Sequence, residues 1–462
     1  MPFRVNTSKV KKVLIVGLIL LLGLSLRLYK LDERTSFDAD QEWLASQSFE
    51  LLKGDIPLLG PVTSIGSFSI GPGFIYLWSA VGIFTQNSPI SGAYLSVLLG
   101  VLTLLALYLF TNYFVEQKVS YIFLFLTAIS SNLIFWDQTP WAPSLFFVSQ
   151  IILLTGAYLA TKNKVGYVFI VLGFVGGFQS HFGIVLSLLS VFLYFIFVRP
   201  VKIDLKTFIL SFLILLFVFL PNIVFDLTHN FVNLKRIAGT IADDNLNYFV
   251  SFNKIVSVLN NNTTSLIYPR NSNLIDSVLN KGLFALVLVN GISLLRDKKY
   301  KNISLLLLIT GVFPAILFYI QQGKFSEYYL MMTVPSMLLL VALLLMRIVN
   351  RKIILVPILL ISIYLNFGLI SNRYVSWNLK AKENIAKSII EVGGYDNYGI
   401  SLNSKLGNQF GFDYIFKYHG IKGDVPPKKG ETRTFSVIIP QGFDGMVGTK
   451  TFDGIGLLWS GI

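Results

Sequence analysis

The stretch FDADQEWLASQSFELLKGDIPLLGPVTSIGSFSIGPGFIYLW, residues 37–78, follows the first long apolar segment of the chain. It opens with three carboxylates in five residues: Asp38, Asp40 and Glu42. Charged side chains are costly within the hydrocarbon region of a bilayer, so this stretch must lie outside it. It therefore predicts a large structured loop at one face of a membrane.

Two short helices are predicted within this loop. Asp38 is a suitable N-cap and Gln41 its capping-box partner, so the first helix should begin near Ala39 and end at Gly54. The glycines and prolines that follow predict a long ordered loop. The second helix, residues 73–86, is amphipathic and too short to span a bilayer, so it is predicted to lie in the interface.

Composition places the whole chain in a membrane. Of its 462 residues, 54% are hydrophobic and 13% charged, which is typical of a polytopic helical membrane protein. There is no cysteine, which excludes disulfides and thiol chemistry. The formal charge of +14 is explained by basic anchors in cytoplasmic loops, so no nucleic-acid partner is expected.

Eleven apolar runs of spanning length are predicted. They lie at about 13–29, 89–115, 119–136, 143–161, 165–180, 182–198, 207–225, 281–295, 302–320, 328–346 and 353–370. With a cytoplasmic N-terminus, the basic short loops, including RDKKYK at 296–301, all fall inside. Counting 73–86 as a span would invert that pattern. The odd number of spans places the C-terminus outside.

The predicted fold class is an all-α polytopic membrane protein with a small C-terminal extracytoplasmic α+β domain. The membrane module covers residues 1–370, with a first outer loop at 30–88 and a long outer loop at 226–280. The second domain, 371–462, is predicted to contain a helix at 379–391 and strands at YGISLN, YIFKY and FSVIIP. The protein is expected in the cell membrane, in contact with membrane lipids.

The polar residues that we select as functional candidates all fall at the predicted outer face. Besides the three carboxylates of the first loop, they include Asp137 and a group expected to contact the donor lipid or its phosphate: Lys324, Arg270, Tyr328 and Tyr329. A further group is expected, with Glu42, to contact the substrate: Gln179, His181, Asp226 and His229. Each also has a structural interpretation. Asp38, or Asp226 with His229, could cap a helix, and Glu42 could lie on a solvated helix face. Lys324 and the two tyrosines could be interface anchors.

Several segments resemble, in order, the GT-C glycosyltransferases that use lipid-linked sugars, especially the aminoarabinose transferase and protein O-mannosyltransferase branch. They are the acidic loop from FDADQEWLA, GPGFIYLW, LPNIVFDLTHNF and EYYLMMTVP. The resemblance implies a polyprenyl-phosphate sugar donor, a catalytic base in the first outer loop and a second acid at Asp137. The family's Asp-Glu pair is interrupted, since Ala39 and Gln41 flank Asp40, so either Asp40 or Asp38 could be the base. The family's His-Tyr pair is Tyr328-Tyr329 here.

Transfer to a hydroxyl of a lipid, glycan or protein acceptor requires a base, which a carboxylate can provide. The phosphate leaving group requires cations, for which Lys324, Arg270 and Arg236 are candidates. A single base opposite the leaving group implies inversion. A divalent metal bridging Asp40 and Asp137 is chemically reasonable but not required. The alternatives are a transporter or flippase of lipid-linked sugars, which should carry charges at mid-membrane, and a binding protein acting through its outer domain.

Overall fold

The computed structural model describes residues 7–64, 66–242, 251–269, 273–321, 325–394, 398–428 and 433–460. Four helices precede the main bundle: α1 (Thr7–Leu28), α2 (Leu31–Arg34), α3 (Ala39–Leu52) and α4 (Gly73–Thr85). The predicted start of α3 is confirmed, since Asp38 is its N-cap and the Asp38 N–H donates to Gln41 Oε1 at 3.0 Å. Gly54, with φ 110°, follows its end as predicted.

Thirteen further helices form the main bundle within the described ranges. They are α5 (Ser91–Phe114), α6 (Gln117–Ile129), α7 (Ser131–Asp137), α8 (Ser144–Ala160), α9 (Val165–Phe178), α10 (Ile184–Phe197), α11 (Leu205–Thr228), α12 (Val232–Ala242), α13 (Phe252–Thr264), α14 (Leu274–Leu294), α15 (Lys301–Gln321), α16 (Val334–Ile348) and α17 (Lys352–Ser371). A 3₁₀ helix, Glu327–Thr333, leads into α16. Every predicted span coincides with one helix or, at 119–136 and 328–346, with two consecutive helices.

Six helices in the described ranges are long and apolar enough to cross a membrane: α5, α11, α14, α15, α17, and α16 with its 3₁₀ lead. The pair α6 and α7, bent by 62°, would make a seventh. The break is stabilised by Asn366 of α17, whose Oδ1 accepts the backbone N–H and the hydroxyl of Ser131 at 2.8 and 3.0 Å. Four apolar helices in the described ranges, α4 and α8 to α10, are shorter.

The C-terminal region contains α18 (Leu379–Gly393), β1 (Gly399–Ser404), α19 (Phe412–Tyr418), β2 (Thr434–Ile439), β3 (Lys450–Phe452) and β4 (Ile455–Ser460). The sheet order is β1-β2-β4-β3, with β1 parallel to β2 and the other pairs antiparallel. The predicted α+β composition is confirmed. The predicted strand YIFKY is wrong, because this segment belongs to α19, which buries Phe412, Ile415 and Phe416 at helical spacing.

The C-terminal region packs directly on the first loop. One apolar core contains Phe37 and Leu44 at α3, Phe74 and Trp78 of α4, and residues of α18, β1, α19, β2 and β4. The contact is close at Gly411, where a Cβ would lie 2.0 Å from the Phe37 carbonyl oxygen. The C-terminal region is therefore attached to the acidic loop by burial of apolar surface, which is the main stabilising term in packing.

Candidate active site

Asp40 lies in the first turn of α3, where the helix dipole favours a negative charge. The Asp40 side chain is exposed to solvent, but the protein around it excludes water from part of its neighbourhood. Asp40 therefore lies in an open recess. Burial raises the pKa of the Asp40 carboxyl above its ordinary value, and the charge of Asp38 raises it further. A raised pKa makes the ionised carboxylate a stronger base.

An aromatic wall faces this recess. The hydroxyls of Tyr328 and Tyr329 lie 2.9 and 2.7 Å from Ser64 Oγ. The Tyr328 ring packs edge-on against Trp141 with centroids 5.0 Å apart, and its hydroxyl lies within electrostatic range of Asp40. We call Asp40, Ser64, His181, Tyr328 and Tyr329 the active-site recess.

His181 completes the recess as a neutral imidazole. Its ring centroid is 5.9 Å from that of Tyr328 and 6.4 Å from that of Tyr329. Burial lowers the pKa of His181 to about 4, and its Nδ1 accepts the Gly183 N–H at 3.0 Å. The proton of the neutral ring therefore lies on Nε2, which makes that atom a hydrogen-bond donor.

Asp38 differs from Asp40 in having a cation beside it. Lys382 of α18 is buried, and its Nζ lies 3.2 Å from Asp38 Oδ1. The same ammonium donates to the carbonyl oxygens of Phe37 at 2.6 Å and Phe410 at 2.8 Å. In the part of the chain that the structure describes, Asp40 has no ion-pair partner. The contact with Lys382 thus holds Asp38 in its position as the N-cap of α3.

Lys382 was not selected from the sequence. A signal was present, because Lys382 lies three, four and seven residues before Ile385, Ala386 and Ile389, on the apolar face of α18. A charged residue on a buried face requires a partner.

Glu42 caps α19 of the C-terminal region. Its two carboxylate oxygens accept the backbone N–H groups of Gly411 at 2.9 Å and Tyr414 at 3.0 Å. Burial raises the pKa of the Glu42 carboxyl, and these two amides oppose that rise. Glu42 is half-buried, so the interpretation that it lies on a solvated helix face is wrong. Its contact with substrate stays a prediction.

Asp137 is buried in an ion pair with Arg27 of α1. The distance from Arg27 Nε to Asp137 Oδ2 is 2.7 Å, and the two side chains are 0% and 5% exposed. This ion pair joins α1 to α7. The role of Asp137 as a second acid stays a prediction. Because Arg27 engages its carboxylate, Asp137 does not fit a metal that bridges it to Asp40. The described residues contain no cluster of three or more potential metal ligands.

Two other candidates make structural contacts between neighbouring elements. Gln179 Oε1 accepts the Gly73 N–H at 2.7 Å. Asp226 Oδ1 accepts the N–H groups of Asn233 and Leu234 at 2.9 and 3.3 Å, near the start of α12.

His229 is exposed and stacks on Phe225 with centroids 4.2 Å apart. Lys324 and Arg270 lie outside the described residues. Arg236 donates from Nη1 to the Ser67 carbonyl oxygen at 3.3 Å.

The fold was compared with known proteins. No protein-family profile matches the chain, and no curated protein matches it in sequence. Among solved structures, ArnT from Cupriavidus metallidurans bound to undecaprenyl phosphate superposes with a TM-score of 0.59 over 98% of both chains, at 11% identity. The chain shares the fold of ArnT. The predicted resemblance is therefore confirmed at the level of the fold, and so is the polytopic membrane architecture.

A second GT-C structure is also similar. The oligosaccharyltransferase AglB from Archaeoglobus fulgidus, in complex with an inhibitory peptide and a dolichol-phosphate, gives a TM-score of 0.53 at 13% identity. The match covers 94% of this chain and 70% of AglB. The structural likeness thus extends over almost the whole sequence, including most of the C-terminal region.

Proposed function

We propose that this protein is a membrane glycosyltransferase that moves a sugar from a polyprenyl-phosphate donor to an acceptor hydroxyl at the outer face of the cell membrane. The observation that carries the proposal is the active-site recess. It combines a carboxylate that has a raised pKa, and no cationic partner among the described residues, with two tyrosine hydroxyls and a neutral histidine. Support also comes from the ArnT and AglB structures, which contain undecaprenyl phosphate and dolichol-phosphate.

In the proposed reaction, Asp40 accepts the proton of the acceptor hydroxyl while that oxygen attacks the anomeric carbon. The bond from the anomeric carbon to the phosphate oxygen breaks, and its electron pair stays on the phosphate. Attack from the side opposite the phosphate inverts the anomeric centre. A positioned base of this kind typically contributes about 10²–10⁴-fold to the rate.

The leaving phosphate requires hydrogen-bond donors and cations. We assign the hydroxyls of Tyr328 and Tyr329 and the Nε2–H of His181 as donors lining the recess. Lys324 and Arg270 stay the proposed cations for this phosphate. A charge-assisted hydrogen bond from either is worth about 1.5–3 kcal/mol.

The orientation in the membrane is part of the proposal. The basic short loops favour a cytoplasmic N-terminus and a C-terminal region outside the cell. The C-terminal region packs directly on α3 and α4. The acidic loop and the C-terminal region must therefore lie on the same side of the membrane.

The test compares Asp40→Asn with Asp38→Asn in the purified protein in nanodiscs. A panel of undecaprenyl-phosphate-linked pentoses and hexoses is offered, and release of undecaprenyl phosphate is measured. We expect Asp40→Asn to lower kcat by about a hundredfold or more with donor binding unchanged. Asp38→Asn should retain most activity, because Asn caps a helix nearly as well as Asp. The reverse result would assign the base to Asp38, and full activity of both variants would refute the proposed function.

A further inference from the structure

A second cavity lies beside the active-site recess. It has a volume of about 400 Å³ and lies between α2, α7, α13 and the end of α17. Trp136 in its wall stacks on Trp141 with centroids 6.2 Å apart, and Trp141 in turn contacts Tyr328. Two arginines, Arg34 and Arg373, line the same space, and we call it the arginine cavity.

Arg34 is 3% exposed and only partly hydrogen-bonded. Its Nη2 donates to the Ile370 carbonyl oxygen at 2.6 Å, and its guanidinium lies 4.7 Å from the Tyr29 ring centroid. Its buried Nη1 has no hydrogen-bond partner in the described ranges, where no carboxylate lies within ion-pair distance either. A buried cation without an anion is costly, so this arrangement favours binding of an anion from outside the chain.

Arg373 is the second incompletely satisfied cation. It donates to Gln138 Oε1 and, from Nη2, to the Arg34 carbonyl oxygen at 3.2 Å. Its buried Nε has no partner among the described residues. Burial and the nearby charge of Arg34 lower the pKa of Arg373 to about 10, so it stays charged at neutral pH. Two guanidiniums this close repel each other unless an anion lies between them.

The rest of the cavity wall is amphipathic. Asn132, Asn262 and Ser265 supply polar groups, while Ile134, Phe135 and Leu369 are apolar. An exposed carboxylate, Glu327, also lines the cavity but makes no ion pair with either arginine. A ligand that fits this wall carries both an anionic head and a hydrocarbon part.

We propose that the arginine cavity binds the phosphate group of a lipid, held by Arg34 and Arg373. Guanidinium groups present paired N–H donors that match phosphate oxygens. The site is separate from the Asp40 base and does not depend on the proposed transfer reaction. An anionic phospholipid headgroup and a polyprenyl phosphate share this chemistry.

The test is native mass spectrometry of the purified full chain, titrated separately with phosphatidylglycerol, undecaprenyl phosphate and inorganic phosphate. Besides any undecaprenyl phosphate held at the proposed donor site, we expect one bound lipid whose Kd rises about tenfold to a hundredfold in Arg373→Gln. Preference for either lipid supports the proposal and identifies the source of the phosphate. Binding of inorganic phosphate as tightly as either lipid overturns it.

Three further variants make the result decisive. Glu327→Gln removes a negative charge from the cavity wall and should tighten lipid binding, a result that misfolding cannot produce. Arg351→Gln, at an exposed arginine between α16 and α17, should leave the Kd unchanged. An unchanged Kd in folded Arg373→Gln overturns the proposal, as does lipid binding lost in Lys324→Ala and kept in Arg373→Gln.

Discussion

Replacing Lys382 with Met should loosen the contact between the acidic loop and the C-terminal region. The ammonium group donates to two backbone carbonyls, at Phe37 and Phe410, and pairs with Asp38. Methionine keeps the packing of the lysine stem but offers no donor, so both carbonyls lose their charged partner. This perturbation isolates the polar part of the contact, because the apolar core around it is unchanged.

The magnitude follows from those three contacts. A hydrogen bond from a charged group contributes about 1.5–3 kcal/mol, and there are two of them to carbonyls. The Asp38 pair adds at most about 1 kcal/mol, because the Asp38 side chain is 63% exposed and screened by water. Relief of the desolvation of the buried ammonium offsets part of the loss. We expect a net destabilisation of about 3 kcal/mol, or roughly a hundredfold more opening of the contact.

Hydrogen exchange of the protein in nanodiscs measures this opening. Peptides covering residues 37–42 and 410–414 should exchange roughly a hundredfold faster in Lys382→Met. The matched control is Lys387→Met on the same helix, where the lysine is exposed and makes one contact, with Glu383 at 3.8 Å. That substitution should change stability by less than about 0.5 kcal/mol. Equal exchange in the two variants would refute the role given to Lys382.

Two further predictions concern the other carboxylates. Asp137→Asn leaves Arg27 buried without an anion and should cost about 3–5 kcal/mol, measured by thermal unfolding in detergent. An Asp137→Asn variant that has normal stability but no transfer activity would instead indicate that Asp137 acts as the second acid. The raised pKa of Asp40 predicts that kcat/KM falls with decreasing pH from above the ordinary aspartate range, as the base becomes protonated. Asp38→Asn removes the neighbouring charge that helps to raise this pKa, so the pH–rate profile should move to lower pH. An unmoved profile would contradict that coupling.

The order and type of most elements could be predicted from local sequence. Apolar runs set by bilayer thickness located every described helix that is long enough to cross a membrane, and Asp38 with Gln41 predicted the start of α3. The segment YIFKY was predicted wrongly because short aromatic runs suit a strand or a helix, and its helical cap, Glu42, lies far away in sequence. Tertiary contacts override short-range propensity in such segments.

The location of the candidate-site residues could be predicted from the sequence, but their ion-pair partners could not. The sequence indicates which loops share a face, and the structure brings residues 40, 64, 181 and 328 together. It does not indicate that Arg27 neutralises Asp137, 110 residues later, or that Lys382 reaches Asp38. Such pairs join separate elements, so no periodicity within one segment reports them.

The pairing of Lys382 suggests why two aspartates so close in sequence would have different roles. Residues two apart at a helix start point in different directions, so one lysine cannot engage both. The C-terminal region supplies its cation to Asp38, while Asp40 faces the recess and stays unpaired in the described structure. If Asp40 is the base, the C-terminal region makes Asp40 the base in preference to Asp38, because Lys382 pairs with the Asp38 carboxylate. Loss of Lys382 would then free Asp38 as well as loosening α3. Asp40→Asn combined with Lys382→Met should therefore recover part of the transfer activity that Asp40→Asn alone loses.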